Sequence, residues 1–260
     1  MNLMNHHALV CGASKGIGKA IAIEMAKYGA SITLAARNIE ALQQLAHSLP
    51  KISNSQDHNF VVVDFQNLED VKKKIHMAAL SKPFDILINN TGGPAAGPIQ
   101  FAQTEEFSSA FAQHLLCNHI LAQACIPFMK EKAYGRIINI ISTSVKQPLD
   151  NLGVSNTIRA AVANWAKTLS NELAEHHITV NNILPGATKT ERLESIIEKE
   201  SILKNKTKAE VETMMKNAIP MKRFAEPAEI AQAVCFLASP MASYITGINL
   251  PVDGGRTKSL

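Results

Sequence analysis

Residues 11–29 read CGASKGIGKAIAIEMAKYG, and this stretch decides the fold. Its glycines, at positions 12, 16 and 18, follow a short apolar run and lead directly into an amphipathic helical pattern. Small residues let the backbone approach a pyrophosphate closely, and the first turn of a helix offers free N–H groups at the positive end of its dipole. A glycine triplet alone is a weak signal, and an incidental tight turn is the alternative. Between a strand and a helix near the start of the chain, it predicts dinucleotide binding.

The rest of the chain repeats this alternation of strand and helix patterns. The β-rich runs are ALVCG, SITLAA, NFVVVD, FDILINN, GRIINIIS, ITVNNIL and GINLPV. A parallel pair of strands needs a crossover connection of the length that separates these runs, usually a helix. We therefore predict an α/β fold over residues 1–260. It is a single-domain, Rossmann-type, doubly wound parallel sheet of about seven strands with helices on both faces.

Two segments interrupt this alternation. Residues 92–103, GGPAAGPIQFAQ, form a Gly/Pro-rich loop after the fourth strand pattern. Residues 186–220 form a long, charged, helical insertion after the sixth strand pattern. The apolar residues of its amphipathic pattern are Leu193, Ile196, Ile197, Val211 and Met214. Because sheets of this class hold ligands at the carboxyl ends of their strands, we predict that 186–220 is a substrate lid.

Composition excludes several classes of partner. The chain has 46% hydrophobic residues and a formal net charge of +4, with its basic residues spread along the sequence. This pattern predicts neither nucleic-acid nor membrane binding, and we expect no export signal or membrane span. The four cysteines lie in apolar contexts without C-x-x-C spacing, which favours reduced thiols, a cytoplasmic location and no metal site.

The second strand pattern ends on a positive charge. A site for unphosphorylated NAD usually offers a carboxylate to the ribose 2′-hydroxyl at this point, but the sequence has Arg37. A guanidinium binds a 2′-phosphate with paired, charge-assisted hydrogen bonds, and Lys15 adds a second positive charge in the glycine loop. The alternative is that both are ordinary surface cations. We predict that NADP(H) is preferred over NAD(H).

The motifs in their order resemble those of the short-chain dehydrogenase/reductase family over nearly the whole chain. GASKGIG at 12–18 is similar to the family's glycine motif, although Cys11 stands where threonine is usual. Residues 89–92, NNTG, resemble the family's N-N-A-G motif, and GRIINIIS at 135–142 resembles its fifth strand with the catalytic serine. The ending FLASPMASYITGINLPVDGG, at 236–255, is typical of its 3-oxoacyl-carrier-protein reductases.

The resemblance implies a set of site residues. Ser142 corresponds to the catalytic serine and Asn118 to the helix-borne catalytic asparagine. Asp64 matches the aspartate that binds the adenine amino group, with a strand-end cap as its alternative, and Pro185 begins the segment that touches the nicotinamide carboxamide. The residues expected to bind the cofactor are Gly12, Ser14, Lys15, Gly16, Ile17, Gly18, Arg37, Asp64, Asn90, Gly92, Arg159, Pro185, Gly186, Thr188 and Thr190.

The sequence departs from the family at the proton donor. The family has a Y-x-x-x-K pattern whose tyrosine lies 13 residues after the serine, but counting from Ser142 reaches Ser155, and four more residues reach Arg159. An aliphatic hydroxyl is a much weaker acid than a phenol, and arginine stays protonated in proteins. Arg159 can still bind the ribose hydroxyls, and Ser155 can hold a water or a substrate oxygen. The alternative is that Ser155 caps a helix turn and Arg159 is merely solvated.

Other groups could supply the missing proton. The substrate and water are two sources, and the side chains near the expected site are Thr143, Ser144 and Lys146. The tyrosines of the chain, Tyr28, Tyr134 and Tyr244, are not positioned by the pattern to replace the family's tyrosine.

Two functions remain open at this point. The first is an NADP(H)-dependent oxidoreductase acting on a carbonyl or alcohol, with a 3-oxoacyl thioester or small ketone as substrate. The second is a weak or inactive NADP(H)-binding pseudoenzyme that acts as a sensor or assembly partner. A methyltransferase with a similar glycine loop is disfavoured by Pro185-Gly186 and the S-Y-I-T-G motif. In the family, the helices matching those of Asn118 and Trp165 form subunit contacts, which implies a homotetramer or dimer.

Overall fold

The sheet of the computed structural model, which describes residues 1–259, has seven parallel strands. They are β1 (His7–Cys11), β2 (Ser31–Ala36), β3 (His58–Val62), β4 (Ile86–Asn89), β5 (Gly135–Ile140), β6 (Ile178–Pro185) and β7 (Asn249–Val252). Their order is β3-β2-β1-β4-β5-β6-β7. From β1 the chain adds β2 and β3 on one side, and then adds β4 to β7 on the other side, so the switch point lies between β1 and β4. The predicted doubly wound parallel sheet is confirmed.

The helices lie on both faces of the sheet. They are α1 (Gly16–Lys27), α2 (Ile39–Ser48), α3 (Leu68–Ser81), α4 (Thr104–Phe111), α5 (Cys117–Glu131), α6 (Gly153–Leu173), α7 (Glu191–Leu203), α8 (Lys208–Asn217) and α9 (Pro227–Ala238). A π-helical turn, Ala112–Leu116, joins α4 to α5. Short 3₁₀ turns occupy Ile99–Phe101, Thr143–Val145, Ala174–His176 and Pro240–Ala242. None of the helices within residues 1–259 is both long and apolar enough to cross a membrane.

Alternation along the strands divides the core into two layers. Ala8 and Val10 of β1 pack with α1, α2 and α9, whereas Leu9 and Cys11 face α3 and α5. All five residues of β1 are buried because helices cover both faces, which explains its continuous apolar character. This packing fixes the carboxyl ends of β1 and β4 side by side, at the point where such folds bind ligands.

A ladder of asparagines links the four strands on one side of this point. The side-chain amides of Asn89, Asn139 and Asn182 each donate to the next oxygen in the series, which ends at Asn249, with every distance 2.8 Å. The four residues are in register across β4, β5, β6 and β7. Each such bond contributes about 1 kcal/mol, and together they hold the strand ends at a fixed spacing.

The 186–220 insertion has a small apolar core of its own. Leu193 and Ile197 of α7 pack against Val211 of α8, together with Ile219 and Phe224. The prediction for Met214 is wrong, because its side chain is 45% exposed. Met215 packs against the cluster instead, because a residue four positions after the buried Val211 lies closer to its helix face than one three positions after it.

Candidate active site

The glycine loop between β1 and α1 forms a cradle that admits no side chains at two positions. A Cβ on Gly18 would lie 2.2 Å from the Gly12 carbonyl oxygen, and a Cβ on Gly12 would lie 2.5 Å from that of Asn90. Gly12 also has a φ of +59°, which favours glycine. The Asn90 amide donates to the Cys11 and Gly12 carbonyl oxygens at 3.2 and 3.4 Å, fixing the loop against the end of β4. Backbone exposed in this way fits a pyrophosphate at the first turn of α1.

Lys15 joins this cradle to the 186–220 insertion. Its ammonium group forms an ion pair with Glu191, the first residue of α7, and both side chains are exposed. Nearby, a Cβ on Gly16 would lie 3.4 Å from the Thr190 methyl group. An exposed pair of this kind contributes little to stability because water screens it. The contact of Lys15 with a cofactor phosphate stays a prediction.

Arg37 and Asp64 lie at the carboxyl ends of β2 and β3. Arg37 is exposed, and within residues 1–259 no carboxylate lies within ion-pair distance of its guanidinium group. Asp64 is half-buried, and its Oδ1 accepts a hydrogen bond of 3.1 Å from the Gln66 backbone N–H. The carboxylate thus caps the strand end, which was the alternative reading, and its contact with adenine stays a prediction.

Ser142 follows β5 with a hydroxyl free to donate. Its oxygen accepts a 3.1 Å hydrogen bond from the Ser144 backbone N–H, so its proton can point towards a ligand. Of the other candidate donors, Thr143 and Ser144 are buried and Lys146 is half-buried. The Ser144 hydroxyl has no hydrogen-bond partner in the described part of the chain.

Arg159 is a buried cation on α6. Its side chain is 8% exposed, and Nη1 donates to the Ile140 carbonyl oxygen, at the end of β5, over 3.0 Å. Burial lowers the pKa of Arg159 to about 10, an effect to which the charge of Arg192 adds, so the group is still charged at neutral pH. The alternative that Arg159 is merely solvated is wrong.

Ser155 lies one turn before Arg159. It is half-buried, and its hydroxyl forms no hydrogen bond with other groups of residues 1–259. The N-cap of α6 is Leu152, without a side-chain cap, so Ser155 does not cap the helix start. Its hydroxyl is therefore available to a ligand or a water.

The residues after β6 form a loop that is held by hydrogen bonds between its own residues. A Cβ on Gly186 would lie 2.7 Å from the Asp253 Cα, so Pro185-Gly186 packs tightly beside the end of β7. Thr188 Oγ1 donates to the Gly186 carbonyl oxygen at 3.0 Å, and Thr190 caps α7 by accepting from the Leu193 N–H. The loop is held rigidly at the carboxyl edge of the sheet, where the predicted nicotinamide contacts would lie.

His114 is a site residue that the sequence analysis missed. It lies in the π-helical turn, its side chain is 1% exposed, and its Nδ1 is 2.7 Å from the Thr91 hydroxyl oxygen. Its buried Nε2 has no partner among residues 1–259. Burial, with a further contribution from the positive charge of Arg159, lowers the pKa of His114 to about 3. The imidazole is therefore neutral at physiological pH and close to Arg159.

Asn118 lies one turn after His114, on α5. It is buried, but the structure shows no hydrogen bond from its side chain to the described residues of the site. Its predicted catalytic role stays a prediction, whereas His114 is the residue of this helix that contacts the loop after β4. The sequence signal that was missed is a histidine one helical turn before Asn118.

The pKa of His114 predicts a loss of stability in acid. The unfolded chain takes up a proton near pH 6.5 and the folded chain only near pH 3, so the free energy of unfolding falls as the pH drops through this window. We expect His114→Gln to remove on the order of 3 kcal/mol from the difference in stability between pH 7 and pH 4. Urea unfolding at both pH values measures this, with exposed His76→Gln as the control. An unchanged pH dependence in His114→Gln would contradict a neutral, buried His114.

The predicted lid, residues 186–220, contacts the 92–103 loop directly. The Nη2 of Arg192, on α7, donates to the Pro94 carbonyl oxygen at 2.9 Å. The loop is itself attached to the start of α6, because the Gly97 N–H donates to the Asn151 carbonyl oxygen at 2.7 Å and the Gly153 N–H to that of Gly97 at 3.1 Å. The two segments predicted to bind substrate thus meet above Arg159.

The chain is similar to known reductases over almost its entire length. The family described as enoyl-(acyl carrier protein) reductase matches residues 12–257. NADPH-dependent reductase BacG of Bacillus subtilis (strain 168) is 33% identical, with 97% of this chain and 98% of that protein covered. The 3-oxoacyl-[acyl-carrier-protein] reductase FabG of Vibrio cholerae is 34% identical, with 98% of each covered. The L-sorbose reductase of Gluconobacter frateurii, solved with NADPH and L-sorbose, superposes with a TM-score of 0.92 at 32% identity, covering 100% and 99% of the two chains.

Proposed function

The chain belongs to the short-chain dehydrogenase/reductase family, and from this premise we propose that it is an NADP(H)-dependent oxidoreductase with an atypical proton donor. The reaction is reduction of a carbonyl, as in a 3-oxoacyl thioester or small ketone, or oxidation of the corresponding alcohol. One observation carries the proposal: Arg159 is buried and donates a hydrogen bond to the end of β5, the strand that leads to Ser142. Burial of an unpaired charge costs free energy, and a bound ligand that accepts hydrogen bonds from this charge would offset the cost.

The residues present fit NADPH. The cradle of Gly12 and Gly18 would hold the pyrophosphate, Arg37 the 2′-phosphate and Arg159 the ribose hydroxyls. When bound, NADPH supplies a hydride to the carbonyl carbon. The NADPH dependence of the relative BacG supports this choice of cofactor.

Ser142 is the group of this chain that polarises the substrate. Its hydroxyl donates to the carbonyl oxygen while its own oxygen remains fixed by the Ser144 N–H, and a positioned donor of this kind is worth about 10² to 10³ in rate. His114 is neutral, so it can offer a hydrogen bond but cannot act as an imidazolium acid. Ser155 stands where the family has a phenol, and its hydroxyl binds either the substrate oxygen or a water. In the second case, the bound water is the proton source.

A second candidate function is a cofactor-binding pseudoenzyme. The replacement of both signature residues by Ser155 and Arg159 favours it, because loss of a positioned general acid removes about 10² to 10⁴ in rate. Such a protein would act as a sensor of NADP(H) or as an assembly partner. It shares the cofactor site with the first candidate and differs only in turnover.

Calorimetric titration with NADPH and NADH, followed by the absorbance of the reduced cofactor, tests both candidates. We expect tighter binding of NADPH than of NADH, and oxidation of NADPH on addition of a 3-oxoacyl thioester or small ketone. Arg37→Ala should weaken NADPH binding by about 10- to 100-fold and leave NADH binding unchanged, because only NADPH carries the 2′-phosphate. Lys130→Ala, on exposed α5 surface, is the control of equal charge.

The outcomes separate the candidates. Tight NADPH binding with substrate-dependent oxidation supports the reductase, and tight binding without oxidation across the panel supports the sensor or assembly partner. Failure to bind either cofactor contradicts both. Equal losses for NADPH and NADH in Arg37→Ala would show that Arg37 does not contact the 2′-phosphate.

A further inference from the structure

Two arginines converge on one point of the 92–103 loop. A Cβ on Gly93 would lie 3.6 Å from Nη2 of Arg159 and 3.9 Å from Nη2 of Arg192. Arg159 reaches this point from the core side, on α6, and Arg192 from the lid, on α7. The two guanidinium groups are therefore close neighbours, although they belong to elements far apart in the sequence.

Neither guanidinium group has a counter-ion in the protein. Within residues 1–259, no carboxylate lies within ion-pair distance of Arg159 or Arg192, and their hydrogen bonds go to the carbonyl oxygens of Ile140 and Pro94. Arg159 is almost fully buried, so its charge is neither hydrated nor paired. Arg192 is exposed, so the cost falls on the buried Arg159, and an anion between the two like charges would offset both their repulsion and the desolvation of Arg159.

The neighbouring polar side chains are hydrogen-bond donors. The Ser142 hydroxyl has a free proton because its oxygen already accepts from a backbone N–H. His114, whose charge state responds to Arg159, keeps a buried Nε2 without a partner in the described chain. When the Thr91 hydroxyl donates to Nδ1, the Nε2 carries the proton and becomes a further donor. This set lacks a carboxylate and suits a ligand rich in negatively charged oxygen.

The anion is distinct from the phosphates of the cofactor. Those groups are assigned to the cradle at the start of α1 and to Arg37 at the end of β2. Gly93 lies instead in the loop after β4, which packs on the start of α6. Arg192 belongs to the lid, so the anion would sit where lid and loop meet, on the side of the site open to substrate.

We propose that Arg159 and Arg192 together bind a carboxylate of the substrate, which makes the substrate a small oxo-carboxylic acid rather than a neutral ketone. Arg159 would do so through Nη2, the nitrogen near Gly93, and its other N–H groups would remain for the ribose hydroxyls. The proposal rests on the proposed reductase function. Arginine suits this role because its planar fork pairs with both oxygens of a carboxylate. Binding would also draw α7 towards the 92–103 loop, since Arg192 already bridges these segments through Pro94.

Matched pairs of substrates test the proposal. The rate of NADPH oxidation is measured with 2-oxobutanoate and 3-oxobutanoate, and with the methyl ester of each, at saturating NADPH. We expect kcat/KM to be about 10- to 100-fold higher for the acids than for their esters. Arg192→Gln should remove this preference, so that the ratio of kcat/KM for the acids to that for the esters falls to about one. Lys199→Gln, on the exposed face of the same helix, is the control of equal charge.

Calorimetry of the same ligands with the NADP⁺-loaded protein separates this proposal from the proposed function. Binding of the acids but not the esters, lost in Arg192→Gln, supports the arginine pair even if neither compound is reduced. Equal binding or equal turnover of acids and esters overturns it, and so does a failure of all four compounds to bind. A loss of NADPH affinity in Arg192→Gln also overturns it, because the arginine would then serve the cofactor.

Discussion

Replacement of Gly18 by alanine is expected to weaken NADPH binding by about 100-fold or more, which corresponds to about 3 kcal/mol. The new Cβ would lie 2.2 Å from the Gly12 carbonyl oxygen and 2.7 Å from Nδ2 of Asn90. Both contacts involve atoms that fix the cradle, so the loop must move away from the first turn of α1. The N–H groups that would bind the pyrophosphate then lose their alignment. Calorimetric titration with NADPH measures the effect.

Alanine substitutions at two other glycines serve as controls, with smaller expected losses of NADPH affinity. A Cβ on Gly97 meets no atom within 4 Å, so Gly97→Ala should leave NADPH affinity within about twofold. Gly16 has a φ of +57° but an uncrowded Cβ position, so Gly16→Ala carries only a conformational cost of about 1 kcal/mol. Circular dichroism shows whether each variant folds. Equal affinities for the Gly16 and Gly18 variants would mean that the crowding at Gly18 does not shape the cofactor site.

The fold was predictable because its signals are local. Each β-α unit shows a buried apolar strand followed by an amphipathic helix, and the tight turn at Gly12 and Gly18 is written into a few neighbouring residues. The parallel orientation of the strands follows from the helix-length connections between them. Individual helix faces were less certain, as Met214 shows, because Met214 and Met215 both lie near the face of Val211 and the sequence does not say which of them is buried.

The candidate site was only partly predictable because its contacts are long-range. The family pattern singled out Ser142 and Arg159, but not the burial of Arg159 or its bond to Ile140. The ion pair of Lys15 with Glu191 and the approach of Arg192 to Gly93 join segments about 100 residues or more apart in the chain. Sequence periodicity contains no information about such pairs.

His114 shows a different limit. Its orientation is set by a π-helical turn, in which one extra residue shifts the helix face, and this insertion has no reliable signature in the sequence. Asn118 was chosen because it corresponds to the family's helix-borne asparagine, and that resemblance says nothing about residue 114. The Thr91 contact and the unpartnered Nε2 could be found only once the loop after β4 was in place.

The double substitution Ser155→Tyr and Arg159→Lys is expected to raise the rate of reduction of neutral ketones by about 10² or more. A phenol has a pKa near 10, which a neighbouring ammonium group lowers towards neutrality, whereas a serine hydroxyl stays far too weak an acid. The Ser155 side chain is half-buried and forms no hydrogen bond within the described chain, so its replacement breaks no bond that the side chain makes. Single-turnover oxidation of bound NADPH measures the chemical step.

Ser155→Phe with Arg159→Lys is the matched control, because it adds the same ring without the acidic hydroxyl. A gain in the tyrosine variant that is absent from the phenylalanine variant identifies the missing acid as the limit on the natural site. Equal rates in both would mean that proton donation does not limit the reaction.

The same pair of variants also tests the role of Arg159. Lysine cannot form the planar fork, so oxo acids should lose part of their advantage over esters, while the rate with neutral ketones rises. Opposite responses of the two substrate classes would show that Arg159 binds the anionic substrate, whereas the residue at position 155 limits proton donation.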